Sequence, residues 1–198
     1  MLNKNALVAG STALGVALVG ALALGGIPVG ASMATVVAAP AKGLVTTAQA
    51  SKLGFTKVAG KPTTTSKTGV TGCPKGAEAA FEDSTGTTGL IAEVLVCKSA
   101  SSPASLIKKA KKAGSTSSTM VPPKSLGPTA IEIAAQGTTY AIYWQRGKVL
   151  EVVAYDTNVP ASSSSTTTTT APGPVTPLTA QQQQTLSNAA IYQDAAIK

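Results

Sequence analysis

The sequence contains no histidine. Ser-His and Cys-His catalytic arrangements need an imidazole, as do many zinc sites, so the absence excludes these classes of site. It also removes the side chain that most readily moves protons near neutral pH. Neither a Gly-x-Ser-x-Gly nucleophile turn nor a Walker-type phosphate loop is present at a strand-to-helix junction. We therefore expect a protein that is not an enzyme and that holds no cofactor and no metal.

Acidic residues, arginine and aromatic residues are scarce. The chain has eight carboxylates, a single arginine and seven aromatic residues, and its formal charge is +8. A positive excess favours anionic partners, although it also serves simply to keep a protein soluble. Nucleic acid is not an expected partner, because arginine is nearly absent and no aromatic residue interleaves with the lysines.

The N-terminus has the pattern of an export signal. Lys4 precedes the apolar run Ala6–Leu24, Gly25–Pro28 then breaks any helix, and small residues follow at Ser32-Met33-Ala34. A positive start, an apolar stretch and a small-residue site predict a signal peptide over residues 1–34. Because the apolar run has about 19 residues, an uncleaved membrane anchor stays open as the alternative. We expect a secreted or cell-envelope protein, attached to a membrane only if that segment is retained.

Cysteine is limited to Cys73 and Cys97. Residues 78–83 and 90–97 predict a hairpin in which the two cysteines lie opposite each other at the open end. Export would place them in an oxidising compartment, where such a pair forms a structural disulfide. The redox-catalytic alternative needs a Cys-x-x-Cys motif or a cationic helix start, and neither is visible.

The element pattern predicts an α+β fold. Expected in chain order are a short helix ended by Gly54, a loop over Lys61–Gly72, the hairpin, a helix opened by Ser102-Pro103, three strands and a final helix. This order, α-ββ-α-βββ-α, gives an antiparallel sheet of about five strands with packed helices. The domain core would cover residues 35–160. Residues 161–177 form a Ser/Thr/Pro linker, and residues 178–198 a C-terminal helix that docks on the sheet.

The three later strands are the clearest pattern. The runs 130–135, 138–145 and 148–155 are separated by Gln136-Gly137 and Arg146-Gly147, which predict two-residue hairpin turns. This register puts Glu151 opposite Ile142. It also puts eight large residues on one face of the sheet, which we expect to be the core: Ile131, Ile133, Tyr140, Ile142, Trp144, Val149, Val153 and Tyr155.

Several of these motifs resemble small exported cell-envelope proteins of the actinobacterial type, many of them uncharacterised. The resemblance lies in Leu53-Gly54-Phe55, the pair Cys73 and Cys97, the stretch Tyr143–Leu150, and a final helix that begins Leu178-Thr179. The element order is loosely similar to the Mog1/PsbP-like α/β/α fold. The resemblance implies a secreted or wall-associated location; it implies no activity and no functional residue.

Three groups of residues are candidates for function. Lys108, Lys109, Lys111 and Lys112 crowd the second helix in a stretch, residues 94–131, that contains no acidic residue. They could bind an anionic envelope component, or they could be solvated lysines favoured by the helix dipole. Tyr140 and Trp144 could line an apolar ligand pocket, or belong to the core. Glu151 on the apolar face could be a ligand contact with a raised pKa, or turn to water at a strand edge.

These observations predict a non-enzymatic binding or scaffolding domain in an exported envelope protein. Its partner would be an anionic envelope component or another envelope protein. The alternative is a carrier of a small apolar ligand or lipid, with a pocket between sheet and helix. An enzyme of unknown class is the third hypothesis.

Overall fold

A computed structural model of the chain describes residues 43–65, 68–113, 120–135, 139–157 and 176–197. The predicted signal segment and most of the predicted linker lie outside these residues. The elements in chain order are helix α1 (Thr47–Lys52), strands β1 (Lys57–Thr65), β2 (Lys75–Glu82) and β3 (Gly89–Val96), helix α2 (Ser101–Ala113), a 3-10 turn (Lys124–Leu126), strands β4 (Ile131–Ala135), β5 (Thr139–Arg146) and β6 (Val149–Asp156), and helix α3 (Ala180–Ile197).

The fold is α+β, with an antiparallel sheet and packed helices, as predicted. The sheet has six strands in the order β1-β2-β3-β6-β5-β4, and every neighbouring pair is antiparallel. The chain therefore builds two three-stranded halves that meet where β3 pairs with β6. The observed order is α-βββ-α-βββ-α, with one strand more than predicted.

The additional strand is β1, part of which was predicted as the loop Lys61–Gly72. That prediction is wrong for residues 61–65, which belong to β1; of these, Thr63, Thr64 and Thr65 pair with β2. Lys61 and Pro62 fall within a shift of the pairing register between Gly60 and Thr63. Proline cannot donate to a ladder, so it is tolerated in a strand at the edge of a sheet or at a bulge. Glycine and proline, which normally indicate a loop, here lie in an irregular strand at the edge of the sheet.

The β2–β3 hairpin and the disulfide are confirmed. Glu78 is opposite Glu93 and Glu82 is opposite Gly89, within one residue of the predicted pairing. Cys73 and Cys97 form a disulfide, 24 residues apart in the chain. Such a bond fits an oxidising environment such as the outside of the cell.

The predicted register of the β4–β5 hairpin is wrong by one residue. Ala135 pairs with Thr139, so three residues rather than two separate the paired ends. Because side chains alternate between the faces of a sheet, a shift of one moves every side chain of β4 to the other face. Ile131 and Ile133 therefore share a face with Tyr143 and Ala141, and not with Trp144 as predicted.

The β5–β6 turn lies at Gly147-Lys148, one residue later than predicted, with Arg146 paired to Val149. Gly147 takes a positive φ of 56°, which glycine adopts at no steric cost. The pairing of β5 with β6 is shifted by two residues from the prediction. Because two is an even number, the side chains of β6 stay on the predicted face of the sheet. Glu151 lies opposite Trp144 rather than opposite Ile142.

Both faces of the sheet are covered by helices, which makes three layers. The face covered by α1 and α3, called the α3 face, holds Tyr140, Ile142, Trp144, Val153 and Tyr155, packed against residues that include Leu186 and Ala190. The face covered by α2, called the α2 face, holds Ile91, Ile133, Tyr143 and Val152, packed against Leu106, Ile107 and Ala110. The α2 face thus forms a second core.

In the parts of the chain that the structure describes, no helix combines the length and the apolar character needed to cross a membrane.

Candidate functional site

The four predicted lysines lie together on the outer surface of α2. Leu106, Ile107 and Ala110 point into the α2 face and are buried, whereas Lys108, Lys109, Lys111 and Lys112 are all exposed. In an α-helix, residues three and four apart share a side, so one set of positions anchors the helix and the other faces water. We call these four residues the lysine surface.

The lysine surface carries its charge without local compensation. Among the described residues the structure shows an ion pair between Arg146 and Asp194, but none of the four lysines lies in a salt bridge. The nearest acidic residues in sequence, Glu93 and Glu132, belong to the sheet rather than to α2. Glu93 is almost completely buried. The four charges are therefore available to an external anion.

The three other predicted site residues lie in the core of the α3 face. Tyr140, Trp144 and Glu151 are each at most 1% exposed. Trp144 and Glu151 are direct cross-strand neighbours, and the Tyr140 hydroxyl donates a hydrogen bond to the carbonyl of Thr176. Glu151 does not turn to water, as the edge-strand alternative required, because β6 is a central strand. Their positions are those of core residues.

A cleft does exist between α1 and α3, but it lies at a different place from these three residues. It has a volume of about 340 Å³, and its walls include Phe55, Asp83, Tyr155, Gln181 and Gln182. Half of the ten lining residues are threonines and glutamines, which present hydroxyls and amides. Apolar ligands are best held by predominantly hydrophobic walls, so this lining does not favour the lipid-carrier hypothesis.

A pair of carboxyl groups, one buried and one half-buried, lies on the α2 face. Glu78 and Glu93 are directly opposite each other on β2 and β3, and Val152 and Tyr143 continue the same row across the sheet. Burial, and secondarily the charge of Glu78, raises the pKa of Glu93 to about 8. Burial also raises the pKa of Glu78. At neutral pH, Glu93 therefore remains mostly protonated inside the fold.

Burial and the proximity of Glu93 also raise the pKa of the Tyr143 hydroxyl. The Oε2 atom of Glu93 has no hydrogen-bond partner among the described residues. A neutral carboxylic acid costs far less to bury than a carboxylate, so the protonated form is the one compatible with this environment. Ionisation of Glu93 inside the fold therefore costs free energy, so the stability of the fold depends on pH.

The C-terminal end of α3 is tied to the sheet by polar contacts. The Arg146 guanidinium lies 2.7 Å from Asp194 Oδ1 and donates to the carbonyl of Ser125 at 2.9 Å. The Gln193 amide donates to the backbone carbonyls of Glu93 at 2.9 Å and Val152 at 3.3 Å. These contacts fix the rotation and position of α3 on the sheet.

Within the described ranges, no group of three or more potential metal-ligating side chains comes together. The adjacent Glu82 and Asp83 lie at the end of β2, and Asp83 accepts hydrogen bonds from Thr85 and Thr87 of its own turn. Among the described residues, the features that could bind a ligand or take part in chemistry are the lysine surface, the cleft, and the carboxyl pair Glu78 and Glu93.

Comparisons with protein-family models, with curated proteins and with solved structures each found no match to this chain.

Neither the burial of Glu93 nor the cleft was predicted from the sequence. Glu93 interrupts the otherwise apolar strand Gly89–Val96, in which seven of eight residues are buried. A lone carboxylate within a continuous apolar run was the available signal for a buried acid. The cleft combines the end of α1, the β2–β3 turn and the start of α3, which are far apart in sequence. No local pattern could have indicated that these segments meet.

Proposed function

We propose that this is an exported cell-envelope protein whose domain binds an anionic envelope component through the lysine surface. The observation that carries the proposal is the exposure of Lys108, Lys109, Lys111 and Lys112 on one packed helix, with none of them in a salt bridge among the described residues. The Cys73–Cys97 disulfide and the apolar N-terminal segment support the extracellular location.

The chemistry of the lysine surface suits phosphate-rich partners. Lysine presents a flexible point charge with three donors, which binds phosphate oxygens without demanding one geometry. Each lysine held near an anionic surface contributes about 1 kcal/mol at physiological salt. Helix α2 is anchored by Leu106, Ile107 and Ala110, so little order has to be gained when the four charges engage a partner.

A binding measurement with two phosphate-containing probes tests this proposal. The probes are vesicles that contain phosphatidylglycerol and a soluble poly(glycerol phosphate), with phosphatidylcholine vesicles as the neutral reference. We expect substitution of all four lysines of the surface by glutamine to weaken binding by up to ~1000-fold, since each lost contact is worth about 1 kcal/mol and each 1.4 kcal/mol is a factor of ten. Raising the salt from ~0.1 M to ~1 M, which shortens the Debye length from about 10 Å to about 3 Å, should abolish most of the binding.

The matched control removes the same charge elsewhere. Lys52, Lys57, Lys75 and Lys148 are also exposed and lie outside α2. If their replacement by glutamine weakens binding as much as replacement of the lysine surface, the attraction is due to net charge and the proposal fails. The proposal fails too if binding to neutral and anionic probes is equal. The ratio between vesicle and polymer affinities then assigns the anion to lipid headgroups or to a wall polymer.

A further inference from the structure

The cleft between α1 and α3 has walls from four separate parts of the chain. They are the residues that follow α1, the β2–β3 turn with Asp83, the end of β6 at Tyr155, and the first turns of α3. Its volume of about 340 Å³ is at the small end of the range of roughly 300–1,000 Å³ that small-molecule sites occupy.

The walls of the cleft are held in place by their own hydrogen bonds and packing. Thr46 and Gln49 form a reciprocal cap at the start of α1, and Thr179 and Gln182 form the same kind of cap on α3. The rings of Phe55 and Tyr155 meet edge to face, with centroids 5.8 Å apart. A site with fixed walls loses little conformational entropy when a ligand binds.

The β2–β3 turn fixes the remaining wall. The Asp83 carboxylate accepts hydrogen bonds from the Thr85 hydroxyl at 2.8 Å and the Thr87 amide at 3.0 Å. Burial raises the pKa of Asp83, but hydrogen bonds from Thr85, Thr87 and Thr88 outweigh it and leave the pKa well below its usual range. Asp83 is therefore a permanent acceptor held at a defined position.

The lining combines three kinds of group in one small volume. Thr88, Thr179 and Thr185 supply hydroxyls, and Gln181 and Gln182 supply amides, groups that donate and accept hydrogen bonds. The side-chain oxygens of Thr179 and Gln182 already accept bonds within the cap of α3, so these two side chains face a ligand chiefly as donors. Leu53, Phe55 and Tyr155 supply an apolar wall. Among the described residues no lysine or arginine lines the cleft, so nothing in its walls neutralises a phosphate or a carboxylate. Gly54, with a φ of 94°, has open space above it where a side chain would project.

We propose that this cleft binds a neutral sugar ring. A pyranose presents hydroxyls around its rim and an apolar patch of C–H groups on its face, which matches amides and hydroxyls beside an apolar wall. A phosphorylated or acidic ligand would meet Asp83 without a compensating cation, and a lipid chain would leave the polar lining unsatisfied. The cleft lies apart from the lysine surface, so this site is independent of the proposed anion binding.

A backbone-amide NMR titration with neutral sugars tests the proposal. The probes are glucose, galactose and N-acetylglucosamine and their disaccharides, each added up to ~20 mM, which saturates a site with a Kd of ~1 mM. We expect one or more of them to shift the amides of Gly54, Thr88 and Thr185 in a saturable way. A hexose phosphate and glucuronate should bind at least ~10-fold more weakly, because of the Asp83 charge.

One double variant and one control locate the effect. Gln181→Ala combined with Thr185→Ala removes an amide and a hydroxyl from the wall of α3, and the loss of two hydrogen bonds should weaken binding by about 10-fold. Gln184→Ala on the same helix removes a side chain that bonds Asn188 and does not line the cleft, so binding should be unchanged. Alanine favours the helix, so both changes preserve the fold.

The proposal is overturned if none of the neutral sugars shifts these amides, if the shifted amides lie elsewhere, or if the charged sugars bind as well as the neutral ones. It is also overturned if the double variant binds like the control. Vesicle and polymer binding by the double variant should remain normal, and this separates a failure of the sugar site from a failure of the lysine surface.

Discussion

The Glu93→Gln variant is expected to remove most of the loss of stability that the native protein suffers between about pH 5 and pH 8. In the unfolded chain a glutamate ionises near pH 4.3, whereas burial in the fold raises the pKa of Glu93 to about 8. Between these two values the folded state binds one proton more than the unfolded state. Stability therefore falls as the pH rises through this window and levels off above it.

The expected effect is large because the pKa of Glu93 in the fold lies far above its value in the unfolded chain. The free energy of unfolding falls by about 1.4 kcal/mol for each pH unit between the two pKa values. Across the whole window the loss is on the order of 5 kcal/mol. Glutamine has the shape of the protonated acid and cannot ionise. Urea unfolding of native protein and of the Glu93→Gln variant at a series of pH values measures the two slopes directly.

The control for this experiment is Glu82→Gln, which removes the same charge at the less buried end of β2. It should leave the slope between pH 5 and 8 essentially as in the native protein. Equal slopes for native protein and Glu93→Gln would show that Glu93 does not hold a raised pKa in the fold. A slope removed equally by Glu82→Gln would show that net charge, rather than burial, sets the pH dependence.

Reduction of the Cys73–Cys97 disulfide is expected to lower the free energy of unfolding by about 3 kcal/mol. The bond closes a loop with a sequence separation of 24 residues, and the chain-entropy treatment assigns a loop of this length a stabilisation of about 3 kcal/mol. The cysteines also hold together the open end of the β2–β3 hairpin and the turn before β6, since Cys97 donates its amide hydrogen to the carbonyl of Lys148.

Thermal unfolding with and without a reductant measures this effect, and a decrease of the midpoint by roughly 10 °C is expected for a domain of this size. The double variant Cys73→Ala, Cys97→Ala is the matched control, since its midpoint should not respond to the reductant. A native midpoint that the reductant leaves unchanged, although the thiols are shown to be free, would mean that the packing of the α2 face suffices without the bond.

The disulfide and the start of α3 at Thr179 could be predicted because their information is local. Thr179 and Gln182 lie three residues apart, and their side chains satisfy free amides of the helix start whatever surrounds them. The β2–β3 hairpin was likewise predictable from one turn between two strand-forming runs. The position of the lysine surface followed from the helical period, since buried and exposed positions alternate along α2.

Other features depend on contacts between distant segments. The strand β1 contains a proline and glycine that locally favour a loop, and it becomes a strand because the edge of β2 is available to pair with it. In the β4–β5 hairpin a single additional loop residue exchanges the two faces, so Ile131 and Ile133 pack under α2 instead of under α3. The alternation of residues shows that side chains point to opposite faces of a strand. It does not show which set of side chains lies on which face of the sheet when both faces are buried.

The sequence by itself determined the α+β class, the antiparallel hairpins, the partners of the disulfide and the exposed positions of α2, because these follow from local spacing and backbone preference. Only the tertiary structure decided that Glu93 lies buried opposite Glu78, that Glu151 belongs to the core, and that α1, the β2–β3 turn and α3 enclose a polar cleft. Burial and enclosure are created by segments distant in the chain, and they set the pKa of a carboxyl group and the shape of a cleft.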